Sequence, residues 1–178
     1  MRAGKSEDQK GRREVMALHA KLRQGEDKEL RKQANELGEK LQAIDTKNTA
    51  RMKEILETHG WPGKDVVGSD GAQAAFLMVQ HADRDRDFQK RCLPLLKEAT
   101  EKGQMPPSNL AYLTDRVQMV EGKKQTYGTQ LTMVDGKFRP HPIEDEASVD
   151  ERRKKVGLPP LAEYVRMVEQ NSKPAEKN

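Results

Sequence analysis

The stretch FLMVQHADRDRDFQK, residues 76–90, places a histidine at the end of an apolar run, where it could do acid–base chemistry. On a helix, His81 lies three and four residues after Met78 and Leu77, so its ring projects from the side that those residues bury. A partly enclosed imidazole is the side chain best suited to exchange a proton near neutral pH. His81 is therefore the first candidate for a general acid or base. The alternative is a helix-end histidine whose ring bonds a backbone carbonyl.

Asp115 and Arg116 form the second candidate pair, because they interrupt an otherwise apolar helical pattern. Asp115 would orient His81 or balance Arg116. Arg116 would hold an anionic group, since a guanidinium presents several donors in a fixed fork. The alternative is an internal ion pair or two solvated charges. Asp83 and Asp85 are also near His81 in sequence, although neither has to be its partner.

The segment KKQTYGTQ adds a third polar cluster and has the alternating pattern of a strand. In that strand Gln125 and Tyr127 share one face, and Gln130 lies on the other. Gly128 either leaves room for an approaching ligand or backbone, or marks a bulge. Amides and a phenol recognise polar groups by hydrogen bonds, so Gln125, Tyr127 and Gln130 are predicted to position a substrate.

The sequence contains no short motif that indicates a metal or cofactor site. His141 lies between two prolines on a stiff segment, and a metal held by His81, His141 and one carboxylate is chemically reasonable. However, nothing has the short fixed spacing of a metal motif, such as two histidines one turn apart, so no metal is predicted. The chain also lacks a Walker A loop, a dinucleotide glycine fingerprint, HExxH and GxSxG. The cofactor is therefore left unknown.

The composition indicates a soluble protein of one domain. Of 178 residues, 33 are basic and 29 acidic, and they are mixed along the chain, so nucleic acid is not the expected partner. No apolar run approaches the roughly 20 residues of a membrane helix, and the first residues lack the apolar core of a secretion signal. We therefore expect no membrane association and, for the sequence as given, a cytoplasmic location.

Cys92 is the only cysteine, which excludes an internal disulfide and a zinc site built on cysteines of this chain. Its neighbours Leu93, Leu95 and Leu96 indicate a buried thiol. Because no basic residue is obviously placed to lower its pKa, we interpret Cys92 as structural and not as a nucleophile. His19 and His59 lie outside any polar cluster and are also interpreted as structural.

Hydrophobic periodicity predicts a mainly α fold. Gly60 and Pro62 in HGWPG stop the long N-terminal helix, and Asp135-Gly136 is a strong hairpin signal. Ser148 and Glu151 have capping-box spacing. The predicted elements are a long N-terminal helix, a central apolar helix at 70–82, helices at 86–102 and 108–121, a β-hairpin at about 125–139, and two short C-terminal helices. The predicted domains are an N-terminal helical extension at 1–44, a single globular domain at 45–171, and a disordered tail at 172–178.

Four blocks of the sequence together resemble an uncharacterised bacterial family, domain-of-unknown-function family 6624, over about residues 45–167. The blocks are NTARMKEILETHGWPGKDVVG, AAFLMVQHAD, LAYLTDRVQMVEGKKQTYGTQ and PIEDEASVDERRKKVGLPPLAEY. The resemblance implies no activity, but it implies positions around which the family is built. These are His59, Gly60, Trp61, Pro62, Gln80, His81, Asp115, Arg116, Gln125, Tyr127, Gly128, Gln130, Arg152, Arg153, Gly157 and Leu158. On this basis Gln80 and Arg152 join the predicted ligand-binding residues. The resemblance also implies that some relatives are exported.

Two functional hypotheses follow from these residues. The first is a small pocket protein, a hydrolase-type enzyme with a small-molecule or peptide ligand, in which His81 is the general acid or base with Asp115 beside it and Arg116 binds an anionic group. The second is a noncatalytic binding or interaction module whose charged N-terminal helices engage a protein partner or a second copy of the chain as a homodimer. In the second case, the thin apolar stripe of the first helices would form an intermolecular contact.

Overall fold

The computed structural model describes residues 10–12, 14, 15, 17–19, 21, 22, 25 and 27–172. Its described residues between 10 and 22 are helical. The predicted disordered tail lies outside the described residues, except for Ser172, which ends the last helix.

The remaining elements confirm a mainly α fold with one small hairpin. In chain order they are α1 (Lys28–His59), α2 (Lys64–Gln80), α3 (Arg86–Glu101), α4 (Pro107–Val120), β1 (Leu131–Val134), β2 (Lys137–Pro140), a short 3-10 helix (Glu146–Ser148), α5 (Val149–Lys155) and α6 (Leu161–Ser172).

Helix α1 begins and ends at residues whose chemistry suits those positions. The side chain of Asp27 accepts hydrogen bonds from the backbone N–H of Glu29 and of Leu30, at 2.9 and 3.0 Å, which satisfies two free donors of the first turn. At the other end Gly60 has φ +69° and donates its N–H to the carbonyl of Leu56. The predicted stop is confirmed. The helix runs without interruption through residues 44 and 45, where the domain boundary was placed.

Helix α2 starts earlier than predicted because it contains a kink. Gly68 has φ +71° and ψ 168°, a conformation that glycine adopts at little cost, and it separates a first turn at residues 64–67 from the longer helical part. The longer part begins after Gly68, close to residue 70, where the central helix was predicted to start. The predicted central helix is therefore correct from there to Gln80, and the turn before Gly68 was missed.

The core lies between α2, α3 and α4. Phe76 and Val79 of α2, Leu96 of α3 and Leu113 of α4 are at most 2% exposed, and Met52 brings α1 against the same cluster. At the start of α3, Asp85 accepts a hydrogen bond from the backbone N–H of Phe88 at 3.0 Å. The core therefore fixes the end of α2 and the turn into α3.

The single cysteine of the chain belongs to this core. The side chain of Cys92 is 1% exposed, and burial raises the pKa of its thiol to about 12. Because the thiolate is the reactive form, we expect Cys92 to react with a thiol reagent such as dithionitrobenzoate at least 100-fold more slowly in native than in urea-unfolded protein at pH 8. Rapid reaction of the native protein would show that the thiol is accessible.

The hairpin is shorter than predicted. Its tight turn is confirmed: Asp135 and Gly136 both have positive φ, 50° and 74°, and Val134 pairs with Lys137. However, the first strand begins at Leu131 and not at residue 125. Residues 125–130 form an irregular loop, in which side chains of the neighbouring helices bond many of the backbone groups.

The capping box expected at the start of α5 does not form. Ser148 makes no side-chain hydrogen bond to the first turn of the helix. Its hydroxyl instead donates to the carboxylate of Asp145 and accepts a hydrogen bond from Nη1 of Arg152 at 2.6 Å. Because Asp145 and Arg152 bind the hydroxyl of Ser148, this hydroxyl does not cap the helix, although Ser148 and Glu151 have the spacing of a capping box.

Candidate functional site

A pocket of about 660 Å³ opens where the end of α2 meets α1. We call it the His81 pocket. One wall is α1, the N-terminal helical segment contributes Arg12, and the turn between α2 and α3 forms the third side. Its charged or titratable lining residues are Arg12, Asp45, Lys53, His81, Asp83, Arg84 and Asp85. Apolar lining residues include Leu41, Ala50 and Ala82.

His81 is the residue that ends α2. Its backbone N–H donates to the carbonyl of Leu77 at 2.9 Å, and its φ and ψ, −90° and 4°, leave the helical region, so the chain turns immediately afterwards. The residue is half-buried and lines the His81 pocket. The apolar stripe of α2 thus delivers the imidazole to the edge of the core, where a ligand in the pocket can reach it.

Asp83 is held in a fixed position beside this histidine. Arg116 donates from Nε to Oδ1 and from Nη2 to Oδ2, at 2.8 and 3.0 Å, and Gln89 donates from Nε2 to Oδ1 at 3.3 Å. Partial burial raises the pKa of Asp83, but the hydrogen bond and charge of Arg116, the hydrogen bond of Gln89 and the charge of His81 together bring it below its ordinary value. Asp83 is therefore a pinned carboxylate that stays ionised.

This arrangement predicts a pH-dependent contribution to stability. Because the pKa of Asp83 is lowered by folding, its stabilising contribution is complete above about pH 5 and is lost as the pH falls through the folded value. We expect Asp83→Asn to lower the free energy of unfolding by at most about 1 kcal/mol at pH 6, because the side chain is largely exposed. Urea unfolding should show the difference from wild type shrinking towards pH 2.5. A difference that grows in acid would contradict this account.

Arg116 was predicted to bind an anionic group, and in the structure its guanidinium is bonded to other residues of the protein. Besides its two bonds to Asp83, it donates from Nη1 to Oε1 of Gln130 at 2.8 Å, so all three of its nitrogens have protein partners. Gln130, predicted to contact substrate, accepts this hydrogen bond and so helps to hold Arg116. Neither Arg116 nor Gln130 is among the lining residues of the His81 pocket.

Gln89 is a site residue that the sequence-based prediction missed. Its side chain is 1% exposed, and its Nε2 also donates to the carbonyls of Val79 and Gln80, at 3.2 and 2.9 Å. It thereby closes the end of α2 while holding Asp83. A signal was present, since Gln89 precedes Cys92 and Leu96 by three and seven residues on the buried stripe of α3. Gln80, which was predicted to bind a ligand, accepts one of these hydrogen bonds with its backbone carbonyl and is not among the lining residues of the His81 pocket.

Asp115 does not face the imidazole either. It is fully buried on α4, and its Oδ1 accepts hydrogen bonds from the backbone N–H of Thr126 and Tyr127, at 2.8 and 2.9 Å. Its Oδ2 accepts from the N–H of Thr129 at 2.8 Å. Both oxygens are committed to residues 125–130, which we call the anchored loop.

The anchored loop is tied at its ends by Gln125, whose side chain is fully buried. Its Oε1 accepts from the backbone N–H of Gln130 at 2.7 Å, and its Nε2 donates to the carbonyls of Gln130 and His141 at 3.0 and 2.9 Å. The side-chain amide of Gln125 therefore does what a neighbouring strand would do, because it bonds the backbone of both Gln130 and His141. Gln125 was predicted to contact substrate, and in the structure its side-chain amide closes the loop.

Helices α5 and α6 hold the carbonyls of the anchored loop. Arg152 donates from Nε to the carbonyl of Thr126 at 2.8 Å, and the buried Arg153 donates from Nη1 to that of Tyr127 at 2.6 Å. The hydroxyl of Tyr164 donates to the carbonyl of Thr129 at 2.9 Å. Arg152, predicted to bind a ligand, thus fastens the loop to α5.

The anchored loop also explains Gly128 and places Tyr127. Gly128 has φ +67°, which glycine adopts at little cost, and a Cβ there would lie 2.6 Å from Cδ1 of Ile143, so the backbone conformation and the packing both favour glycine. The side chain of Tyr127 is half-buried, and burial followed by the charge of Asp115 raises its pKa. Tyr127 is not among the lining residues of the His81 pocket.

The structure thus divides the predicted site residues into two groups. His81 lines the pocket, while Asp115, Gln125 and Arg152 build the anchored loop. Arg116 and Gln130 connect the groups, because they link the loop to Asp83 by hydrogen bonds. Within the described part of the chain, no three His, Cys, Asp or Glu side chains are grouped to hold a metal ion, and no helix is long and apolar enough to cross a membrane.

Comparison with known families matches the chain over residues 16–173 to a family described as a family of unknown function, DUF6624. The match is longer than the predicted 45–167 and includes all of α1, which forms a wall of the His81 pocket. No curated protein and no solved structure matches the chain. Since the matched region covers most of the sequence and both groups of site residues, the chain belongs to the DUF6624 family of unknown function.

Proposed function

We propose that this protein is an enzyme of the hydrolase type that uses His81 as its general acid or base. One observation carries the proposal: His81 lines a pocket of about 660 Å³ in which a neighbouring carboxylate, Asp83, is pinned by three hydrogen bonds. A volume of this size suits a small molecule. An imidazole beside a fixed carboxylate is one arrangement that supports general acid–base catalysis.

The carboxylate of Asp83 supports proton transfer in two ways. Its negative charge favours the protonated imidazole that forms when His81 takes a proton from a substrate or from water. Its fixed position also limits how the neighbouring imidazole can be oriented. Arg116 and Gln89 are positioning residues in this scheme, because they act through Asp83 and do not face the pocket.

This proposal changes the role given to Asp115. Its carboxylate binds the backbone of the anchored loop, and that loop carries Gln130, which in turn supports Arg116. Asp115 would therefore affect catalysis only through the integrity of the loop. Asp83 takes the place beside the histidine that was predicted for Asp115.

The proposal is tested by replacing His81 with glutamine. We expect His81→Gln to lower the rate of turnover by about 100-fold or more, the usual contribution of a general acid or base, with little change in the free energy of unfolding. Hydrolysis of p-nitrophenyl esters and p-nitrophenyl phosphate would be measured for the full chain at pH 7.5. The matched control is His59→Gln, because His59 is an exposed histidine at the end of α1.

Two outcomes would count against His81 as the catalytic group. One is equal activity of His81→Gln and wild type on a substrate that the wild type hydrolyses. The other is a loss of activity in His81→Gln that parallels a loss of stability in urea, since that would indicate a structural role. Unchanged activity in His59→Gln is required for either comparison.

A further inference from the structure

We infer that Arg84 selects small organic anions for the His81 pocket. This inference rests on the proposed function and names the class of its substrate, a molecule with a carboxylate or phosphate group and an apolar part. The inference depends on which charged side chains of the pocket form ion pairs within the protein, and on the one side chain for which the described residues provide no such partner.

The other permanent charges of the His81 pocket have protein partners. Nζ of Lys53 lies 2.5 Å from Oδ2 of Asp85, and Arg12 forms an ion pair with Asp45. Asp83 is neutralised from outside the pocket by Arg116. These three carboxylates therefore offer little net attraction for a cationic ligand.

Arg84 is different, because its guanidinium makes no hydrogen bond or ion pair with the part of the chain that the structure describes. Its side chain is exposed and lines the pocket. On either side of it, Asp83 is bonded to Arg116 and Asp85 to Lys53. Arg84 thus supplies to the His81 pocket a positive charge that no described residue neutralises.

The turn that carries Arg84 is well fixed. The backbone N–H of Ala82 donates to the carbonyl of Val79, and the N–H of Asp85 donates to the carbonyl of Ala82, at 3.1 and 2.9 Å. Asp85 also caps α3. The guanidinium is therefore presented from a defined backbone position, although its own side chain is exposed.

The class of ligand follows from the donors and from the apolar lining. A guanidinium binds carboxylate or phosphate oxygens through two parallel N–H groups. Leu41, Ala50 and Ala82 give the same pocket an apolar surface for the rest of the molecule. A small organic anion satisfies both features, and a neutral molecule of the same shape satisfies only the second.

The test uses the full chain labelled with ¹⁵N and three probes: phenyl phosphate, benzoate and benzyl alcohol. We expect saturable shifts of the amide signals of residues 81–85 with at least one of the two anions, and at least tenfold weaker binding of benzyl alcohol. Arg84→Gln should weaken anion binding by tenfold or more. Arg86→Gln is the matched control, since Arg86 is exposed on the same segment but does not line the pocket, and it should bind as wild type does.

Three results would overturn the inference: no saturable binding of either anion, equal binding of benzyl alcohol, or equal weakening by Arg84→Gln and Arg86→Gln. A difference between phenyl phosphate and benzoate identifies which anionic group is preferred. The outcome is separable from the proposed function. Anion binding that depends on Arg84 can occur while His81→Gln retains turnover, in which case the inference holds and the catalytic proposal fails.

Discussion

Replacing Asp115 with alanine is expected to lower the free energy of unfolding by about 4 kcal/mol. The carboxylate is fully buried and accepts three backbone hydrogen bonds from the anchored loop. The N–H of Thr126 also donates to Oε1 of Gln118, so it keeps a partner, but those of Tyr127 and Thr129 lose theirs. Two buried donors without acceptors and a cavity on α4 account for the expected loss.

Urea unfolding at pH 7 measures this change. Asp115→Asn should cost about half as much, because one amide oxygen can replace one carboxylate oxygen while the NH₂ group opposes a backbone donor. The control is Asp87→Ala, on the exposed first turn of α3, where a loss below about 1 kcal/mol is expected. A loss of activity in Asp115→Asn without any loss of stability would return Asp115 to a direct catalytic role.

Replacing Arg153 with alanine is expected to have an effect of similar size, about 4 kcal/mol. This side chain is the largest that the fold buries completely among the described residues. It donates from Nε to the carbonyl of Pro159 and from Nη1 to that of Tyr127, each at 2.6 Å, and its guanidinium lies 4.9 Å from the centre of the Tyr164 ring. Truncation therefore removes two hydrogen bonds and a large buried volume at once.

Arg153→Met separates these contributions. Methionine retains most of the buried volume and removes the charge, so we expect a loss of about 2 kcal/mol in the same urea experiment. Lys154→Ala is the matched control, because the neighbouring residue is exposed and should change stability by less than about 0.5 kcal/mol. If Arg153→Ala were as mild as Lys154→Ala, the guanidinium would not hold the anchored loop.

Local chemistry in the sequence was enough to predict most of the fold. Gly60 ended α1, and Asp135 with Gly136 formed the hairpin turn, because these positions require backbone angles that glycine or aspartate adopts readily. The helices of the core also followed from apolar periodicity. Each of these features depends on residues that are near one another in sequence.

The anchored loop could not be predicted in the same way. Its alternating residues favour a strand, but the backbone of Tyr127 is satisfied by Asp115 and Arg153, which are 12 and 26 residues away. The sequence could show that Asp115 interrupts an apolar helix, but not which donors it meets. For the same reason His81 was identified as the central candidate, while its neighbour Asp83 was left as one of several carboxylates.

The uninterrupted course of α1 through residue 44 has a practical consequence for designing shortened forms of this protein. With 32 residues and a rise of about 1.5 Å each, the helix forms a rod of about 48 Å. A truncation at residue 44 would cut this rod and remove Leu41 and Gln42, which line the cavity beside the histidine. Such a fragment would bind a ligand more weakly because part of the wall around the ligand would be missing. This loss would occur whether or not the deleted segment contacts a partner protein. Trimming experiments on the amino-terminal end should therefore stop before Arg12, which lines the same cavity and pairs with Asp45.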